Sequence, residues 1–275
     1  MTATTATASA ATAGKPGFSR LMLAEWTKLR SVRSTVWSLL LLVVLDLGFT
    51  VLLMALTASQ WDQADPSQRA TAVADPTSTI MSAGLTLSQL AICVLGVMVI
   101  ATEYSTGMIR ASLLAVPRRL PMLAAKALVF GLLALVLGTA VCFAAFFVGA
   151  AILHSKVAVS LGDPGVLRAV VGGGLYLAML GLFALAVGAI LRQVAAGITG
   201  VIGFVLVLAP LAQLLPGSIG KHVHAYLPSE AGHLITQAHQ AQSDLLTPWQ
   251  GYEVFCLWTA LLLLVAAILL QRRDA

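Results

Sequence analysis

The chain has 275 residues, of which 59% are hydrophobic and 10% are charged, and its mean hydropathy is +0.94. Soluble domains carry about a quarter charged residues, so this composition excludes a water-soluble globular protein. The net charge of +5 comes without an extended Lys/Arg run with interleaved aromatic residues, so we expect no nucleic-acid partner. The composition predicts an all-α, polytopic membrane protein.

The N-terminal region divides into two parts. Residues 1–17 are rich in Thr and Ala and lack the features of a signal peptide, so we expect a disordered tail. Residues 18–35 show helical spacing of apolar side chains, with Trp26 at the boundary and Lys28 and Arg30 on a basic face. The pattern predicts an amphipathic helix at the membrane surface, which either joins a cytosolic partner to the first span or is a plain topogenic anchor.

Residues 36–270 contain six windows that are long and apolar enough to cross about 30 Å of hydrocarbon as helices. Pro210 predicts a kink in the fifth window, and residues 271–275 form a short tail. The windows are Val36–Thr57, Ile80–Ala101, Met122–Leu153, Ala169–Leu191, Ala195–Leu215 and Tyr252–Leu270.

The distribution of Lys and Arg predicts the orientation. Six spans place twelve of these residues on the side of the two termini and four on the other side, namely Arg69, Lys156, Arg168 and Lys221. Cytoplasmic loops carry the excess of positive charge. We therefore predict a multi-pass protein with both termini in the cytoplasm.

The longest outer loop is predicted over residues 216–250. Ser229 is expected to be the N-cap of a short, solvated helix on the outer face. Four of the five histidines lie in this loop, but no acidic or Cys partner stands at metal-ligand spacing, so we expect no metal site.

Asp46 is the acidic residue nearest the middle of a predicted span. A charge at the bilayer centre costs about 2.5–3.5 kcal/mol on insertion scales, so Asp46 should face the bundle or a cavity. Two interpretations remain open: a polar position on a translocation path or ion relay, and a protonated carboxyl hydrogen-bonded to a neighbouring helix.

The chain lacks the sequence motifs of an enzyme. There is no GxxxxGK[ST] phosphate loop, no HExxH zinc motif and no GxSxG nucleophile motif. We predict that the chain is not an enzyme and binds no cofactor or metal of its own.

A charged segment, residues 102–121, interrupts the apolar windows on the predicted cytoplasmic side. Gly107 ends the second span just after Glu103, and Pro117 ends a short helix that has Leu113 on its apolar side. About ten helical residues would form a rod of roughly 15 Å across the inner face of the membrane.

This segment resembles the type-2 family of ABC transporter permeases, the membrane subunits of many bacterial ABC exporters. The family pattern is matched in order by Glu103, Gly107, Pro117, Arg118, Arg119 and Lys126. Residues Ala24–Trp37 and Ala225–Gly232 look like the corresponding parts of actinobacterial members. Met108 departs from the pattern, since many relatives have Thr there.

The resemblance implies a coupling helix that fits into a cleft of a separate ABC ATPase, with residues 18–35 as a connecting helix beside it. ATP and Mg would be bound by the ATPase, and a second permease copy or paralogue would complete an exporter in the bacterial plasma membrane. The implied coupling residues are Glu103, Gly107, Arg110, Leu113, Pro117, Arg118 and Arg119.

Within this set, Glu103 and Arg110 are the candidates for polar contacts with the ATPase. Arg118 and Arg119 would touch the ATPase or lipid phosphates, or only anchor the chain by their charge. Two other classes of function stay open. One is a secondary transporter or channel without an ATPase, which the position of Asp46 favours, and the other is a non-transporting membrane anchor or assembly protein.

Overall fold

The computed structural model describes residues 17–109, 119–214, 216–241 and 244–272, and the described residues contain helices and no strand. The elements are α1 (Phe18–Ser31), α2 (Arg33–Ser59), α3 (Pro66–Ala74), α4 (Pro76–Ser105), α5 (Arg119–Leu153), α6 (Val166–Leu191), α7 (Val194–Ile202), a π-helical segment (Gly203–Val207), α8 (Leu208–Gln213), α9 (Gly217–Ala225), α10 (Pro228–His233), a 3-10 turn (Leu234–Thr236) and α11 (Pro248–Arg272).

The prediction of six membrane spans is confirmed. The spans are α2, α4, α5, α6, the combined stretch Val194–Gln213 and α11, each long and apolar enough to cross a membrane. Most ends extend two to four residues beyond the predicted windows; the second span, for example, is Pro76–Ser105. The reason is local capping, because the side chain of Asp75 accepts a hydrogen bond from the Ser78 amide at 2.8 Å. A hydropathy window stops at such polar residues, whereas the helix does not.

Helices α4 and α6 form the centre of the bundle. In their most apolar windows, 61% and 67% of the residues are buried, against 22% for α2 and for α11. A Cβ atom on Gly96 of α4 would collide with the carbonyl oxygen of Gly181 in α6, so the two backbones touch. Small residues permit such close approach between helices in lipid. The outer helices therefore present most of their apolar surface to the bilayer.

The fifth span contains the irregularity that Pro210 predicts. Its helix changes to π-helical geometry at Gly203–Val207 and returns to α-helical geometry in α8, which contains Pro210. Proline cannot donate the hydrogen bond to the carbonyl four residues earlier, and helices often respond with a local wide turn.

The segment after the fifth span, predicted as an outer loop, is packed, which corrects the expectation of a solvated helix. Helix α10 begins at Pro228 with Leu227 as its N-cap, so Ser229 is not the cap; its side chain is buried inside the helix. Gly232 lies directly against the ring of Phe255 in α11. Apolar and small residues on α10 let it bury a face that an exposed interfacial helix would leave in water.

The two ends of the bundle differ, and we name them after the short helices beside them. The end next to α1 contains the last turns of α4, α6 and α11 and the start of α5, and we call it the α1 end. The opposite end contains α3, which the sequence did not predict, and we call it the α3 end. Helix α3 begins with an N-cap, since the Asp65 side chain accepts a hydrogen bond from the Ser67 amide at 3.1 Å.

Candidate functional site

Helix α1 lies against the bundle through one face. Its buried residues are Leu21, Glu25 and Leu29, one helical turn apart, while Trp26 is 45% exposed and Arg30 is exposed on the other side. The helix ends at Ser31, earlier than the predicted residue 35, because the backbone of Val32 is extended. The amphipathic helix is thus present, but its packed face contains a carboxylate that the apolar pattern did not include.

Two acidic and two basic side chains meet beneath α1, and we call them the ionic cluster: Glu25, Lys28, Glu103 and Lys126. Lys126 of α5 donates to Glu25 Oε2 at 2.6 Å and to Glu103 Oε1 at 2.9 Å. Lys28 donates to Glu25 Oε1 at 2.7 Å and to the same Glu103 oxygen at 3.1 Å. Each carboxylate therefore binds both ammonium groups, and the cluster joins α1, α4 and α5.

The cluster is buried and has equal numbers of positive and negative groups. The side chains of Lys126, Glu25 and Glu103 are 3%, 6% and 7% exposed, and that of Lys28 is 30% exposed. Isolated charges at such depth would be expensive, and close opposite charges with hydrogen bonds offset that cost. Removing one partner would leave an uncompensated charge in the interior.

Both α1 members of the cluster have shifted pKa values. Burial by itself raises the pKa of Glu25, but the nearby Lys126 and Lys28 outweigh it, so the pKa lies below its usual range. Burial by itself lowers the pKa of Lys28, but the hydrogen bond to Glu25 and the charge of Glu103 outweigh it, so the pKa lies above its usual range. Both groups are therefore charged at neutral pH.

The segment that follows the cluster turns sharply at Gly107. Helix α4 ends at Ser105, and Gly107 has a φ of 73°, in the left-handed region that glycine adopts without steric cost. The prediction that Gly107 ends the second span is confirmed. The described chain continues to Ile109, which is buried with 2% of its surface exposed, and resumes at Arg119.

Basic residues at the same end contact the last turn of α11. Arg119 donates to the carbonyl oxygen of Leu270 at 2.8 Å, and Arg192 donates to that of Leu269 at 3.5 Å and also lies over the ring of Tyr104 in α4, at 4.9 Å. Cations at a helix C-terminus stabilise the partial negative charge of the final carbonyls. Arg119, one of the predicted coupling residues, thus binds within the chain.

The other predicted coupling residues fall into two groups. Arg110, Leu113, Pro117 and Arg118 lie outside the described residues, so their predicted roles stay predictions. Glu103 is described, and its carboxylate is turned into the ionic cluster; its predicted contact with an ATPase also stays a prediction.

Sequence reasoning missed the partnership of Glu25 and Lys126. A signal was available, because Lys126 stands inside an apolar helix where an ionisable residue needs a partner. Glu25 and Lys28 are three residues apart and share one side of α1. The sequence offered no way to choose the partners, since Glu25 and Lys126 are 101 positions apart.

Asp46 is buried at the interface of α2 and α4, with 1% of its surface exposed. Neither carboxylate oxygen has a hydrogen-bond partner among the described residues, nor has the hydroxyl of the buried Thr50. The Ser88 hydroxyl lies close to Asp46 and donates to the carbonyl oxygen of Gly84, at 3.1 Å. Asp46 faces the bundle as expected, and both interpretations of its role stay predictions.

Within the described parts of the chain, no group of three or more His, Cys, Asp or Glu residues is placed to hold a metal ion. His224 contacts the side chains of Gln213 and Glu230 at 2.6 and 3.5 Å. Burial raises the pKa of Glu230 despite the nearby His224. These outer contacts connect α8, α9 and α10.

The chain matches a known protein family. The sequence profile of the family described as "ABC-2 family transporter protein" matches residues 21–210, which is more than half of the chain. The matched range contains all four residues of the ionic cluster. No curated protein matches the chain.

Proposed function

The chain belongs to the ABC-2 transporter family and is a membrane permease of an ABC-type transporter; we propose that a separate ATPase subunit binds it at the α1 end and powers export. In this proposal the α1 end faces the cytoplasm, as the excess of Lys and Arg there favours. The ATPase binds ATP and Mg, and a second permease copy or paralogue completes the transporter in the bacterial plasma membrane.

The ionic cluster is the observation that carries this proposal. It joins α1 to the last turn of α4 and to the second turn of α5, the two helices that flank the charged segment at residues 106–118. An ATPase that moves this segment or α1 would therefore move both together. Because α4 packs against α6 in the bundle centre, the displacement would reach the core of the membrane domain.

This arrangement gives Glu103 a positioning role. Its carboxylate binds Lys28 and Lys126 inside the chain, so it acts on the ATPase through α1 and α5. In this proposal the direct contacts with the ATPase are made by Arg110, Arg118 and the exposed face of α1, which includes Trp26 and Arg30.

Co-purification tests the proposal. The wild-type protein is isolated from its native membrane in mild detergent, and the bound fraction is assayed for ATP hydrolysis. We expect an ATPase to stay bound, and we expect Arg110→Glu to release it. Glu103→Lys should lower ATP-driven transport more than it lowers binding, because it disturbs the cluster rather than the contact surface.

Lys221→Glu is the matched control, since Lys221 is exposed at the α3 end. It carries a similar charge reversal and should leave ATPase binding unchanged. Retention of the ATPase by Arg110→Glu, or equal loss in the control, would contradict the proposed contact.

A secondary transporter is the second candidate, because Asp46 is a buried carboxyl without a hydrogen-bond partner among the described residues. Transport by reconstituted protein separates the two functions. Transport that requires ATP and survives Asp46→Asn supports the permease with an ATPase, whereas ATP-independent transport abolished by Asp46→Asn supports the secondary transporter.

A further inference from the structure

A cavity of about 410 Å³ lies at the α3 end, on the opposite side of the bundle from the ionic cluster. Its walls are the last turns of α2, the connecting residues 60–65, helix α3 and the first turns of α4. This volume is within the usual range of small-molecule sites, about 300–1,000 Å³.

Part of the cavity lining is apolar, namely Leu53, Leu56, Trp61, Ala64 and Ala72. Leu56 is 43% exposed on α2, one of the spans with 22% of the most apolar window buried, so this part of the lining is accessible from the apolar surface of α2. Trp61 follows the end of the span, where Trp side chains concentrate at the boundary between hydrocarbon and water.

The cavity lining also contains a cation, the guanidinium of Arg69. The Nε atom of Arg69 is buried and has no hydrogen-bond partner among the described residues. Asp65, the N-cap that precedes α3, accepts hydrogen bonds from both the amide and the hydroxyl of Ser67 at 3.1 Å, and its carboxylate interacts with the Arg69 charge at a longer distance. Among the described residues, no carboxylate lies within 4 Å of the Arg69 guanidinium as an ion pair.

A buried guanidinium N–H without an acceptor is costly, and a bound anion with oxygen acceptors would satisfy it. A small hydrated anion would satisfy only the guanidinium, because it would leave the apolar side chains of Leu56 and Trp61 in contact with water. A molecule with an anionic head and a hydrocarbon tail satisfies both sides at once.

We propose that this cavity binds a membrane phospholipid with an acidic headgroup, with the phosphate at Arg69 and an acyl chain along Leu53 and Leu56. The site is separate from the ionic cluster and does not depend on the proposed export function. It is a lipid-binding site formed by α2, α3 and the start of α4 at the α3 end.

Lipid binding to the purified full-length protein tests the proposal. Affinities for phosphatidylglycerol and phosphatidylcholine with identical acyl chains are measured by native mass spectrometry in detergent. We expect the wild-type protein to prefer phosphatidylglycerol. Arg69→Gln should weaken phosphatidylglycerol binding about tenfold, the loss for one charge-assisted hydrogen bond, and should weaken phosphatidylcholine binding less, because the choline cation neutralises that lipid's phosphate.

Three further variants sharpen the result. Arg69→Lys should retain part of the preference because it keeps the charge. Ala64→Phe should weaken the binding of both lipids because its ring fills the cavity. Lys221→Gln removes an exposed cation that does not line the cavity and should change neither affinity.

Two results would overturn the proposal. One is an equal affinity of wild type and Arg69→Gln for phosphatidylglycerol, or an equal loss in Lys221→Gln, which would indicate general charge attraction. The other is Arg69-dependent binding of the fatty acid laurate without binding of phosphatidylglycerol, which would show that the occupant is a free fatty acid.

Discussion

Replacing Lys126 by methionine is the most direct test of the ionic cluster. Lys126 is 3% exposed and makes the shortest pair of the cluster, 2.6 Å to Glu25, together with the 2.9 Å pair to Glu103. Methionine matches the length of the side chain but removes the charge. Two buried carboxylates would then share only Lys28, whose side chain is 30% exposed.

The expected cost follows from that geometry. Breaking a buried ion pair by removing one partner costs about 3–5 kcal/mol, because the other charge stays buried. Lys28 still contacts both carboxylates, at 2.7 and 3.1 Å, so we expect the lower end of this range, about 3 kcal/mol. Lys28→Met is the matched comparison and should cost about 1 kcal/mol or less, since its ammonium group is partly solvated.

Unfolding of the purified proteins in one detergent, followed by tryptophan fluorescence, measures the difference. A third variant, Glu25→Gln with Glu103→Gln and Lys126→Met, removes the buried charges together and should recover much of the lost stability. The reasoning is refuted if Lys126→Met is as stable as wild type, or if the triple variant is less stable than Lys126→Met.

Three further predictions concern pH and backbone packing. Because the pKa of Glu25 is lowered in the folded protein, the contribution of its carboxylate to folding stability is present above about pH 4.3 and is lost as the pH falls further. The stability difference between wild type and Glu25→Gln, measured by thermal unfolding across pH 3–7, should therefore shrink at acid pH. A constant difference would contradict this prediction. Gly84→Ala should destabilise the protein by about 1–3 kcal/mol, because the new Cβ would lie 2.6 Å from the Asp46 carboxylate. Gly48→Ala is the control and should not destabilise the protein, since no atom lies within 4 Å of a Cβ at that position. Equal unfolding temperatures for the two variants would count against the close contact at Gly84. Gly107→Ala should lower the free energy of unfolding by about 1–2 kcal/mol, because the φ of Gly107 is 73°. Gly107→Asn should lower it less in the same unfolding assay. An Ala variant as stable as wild type would exclude the left-handed turn.

The sequence by itself determined the six spans and the amphipathic first helix. Uninterrupted apolar windows have one stable state in a bilayer, since a helix satisfies every backbone hydrogen bond internally. Gly107 was also predictable, because a glycine just after an apolar helix is the usual C-terminal signal. The helix ends were less predictable, as capping residues such as Asp75 extend a helix beyond its apolar window.

Only the tertiary structure decided which polar side chains meet. Lys28 and Glu103 are 75 positions apart, and Glu25 and Lys126 are 101 positions apart, so no local pattern joins them. Helix α3 has too few apolar residues to show a pattern of its own, and its place beside α2 and α4 creates the cavity with Arg69. Hydropathy sorts residues between lipid and water one helix at a time, whereas the pairing of buried charges depends on which helix faces which, and the packing of the whole bundle sets that.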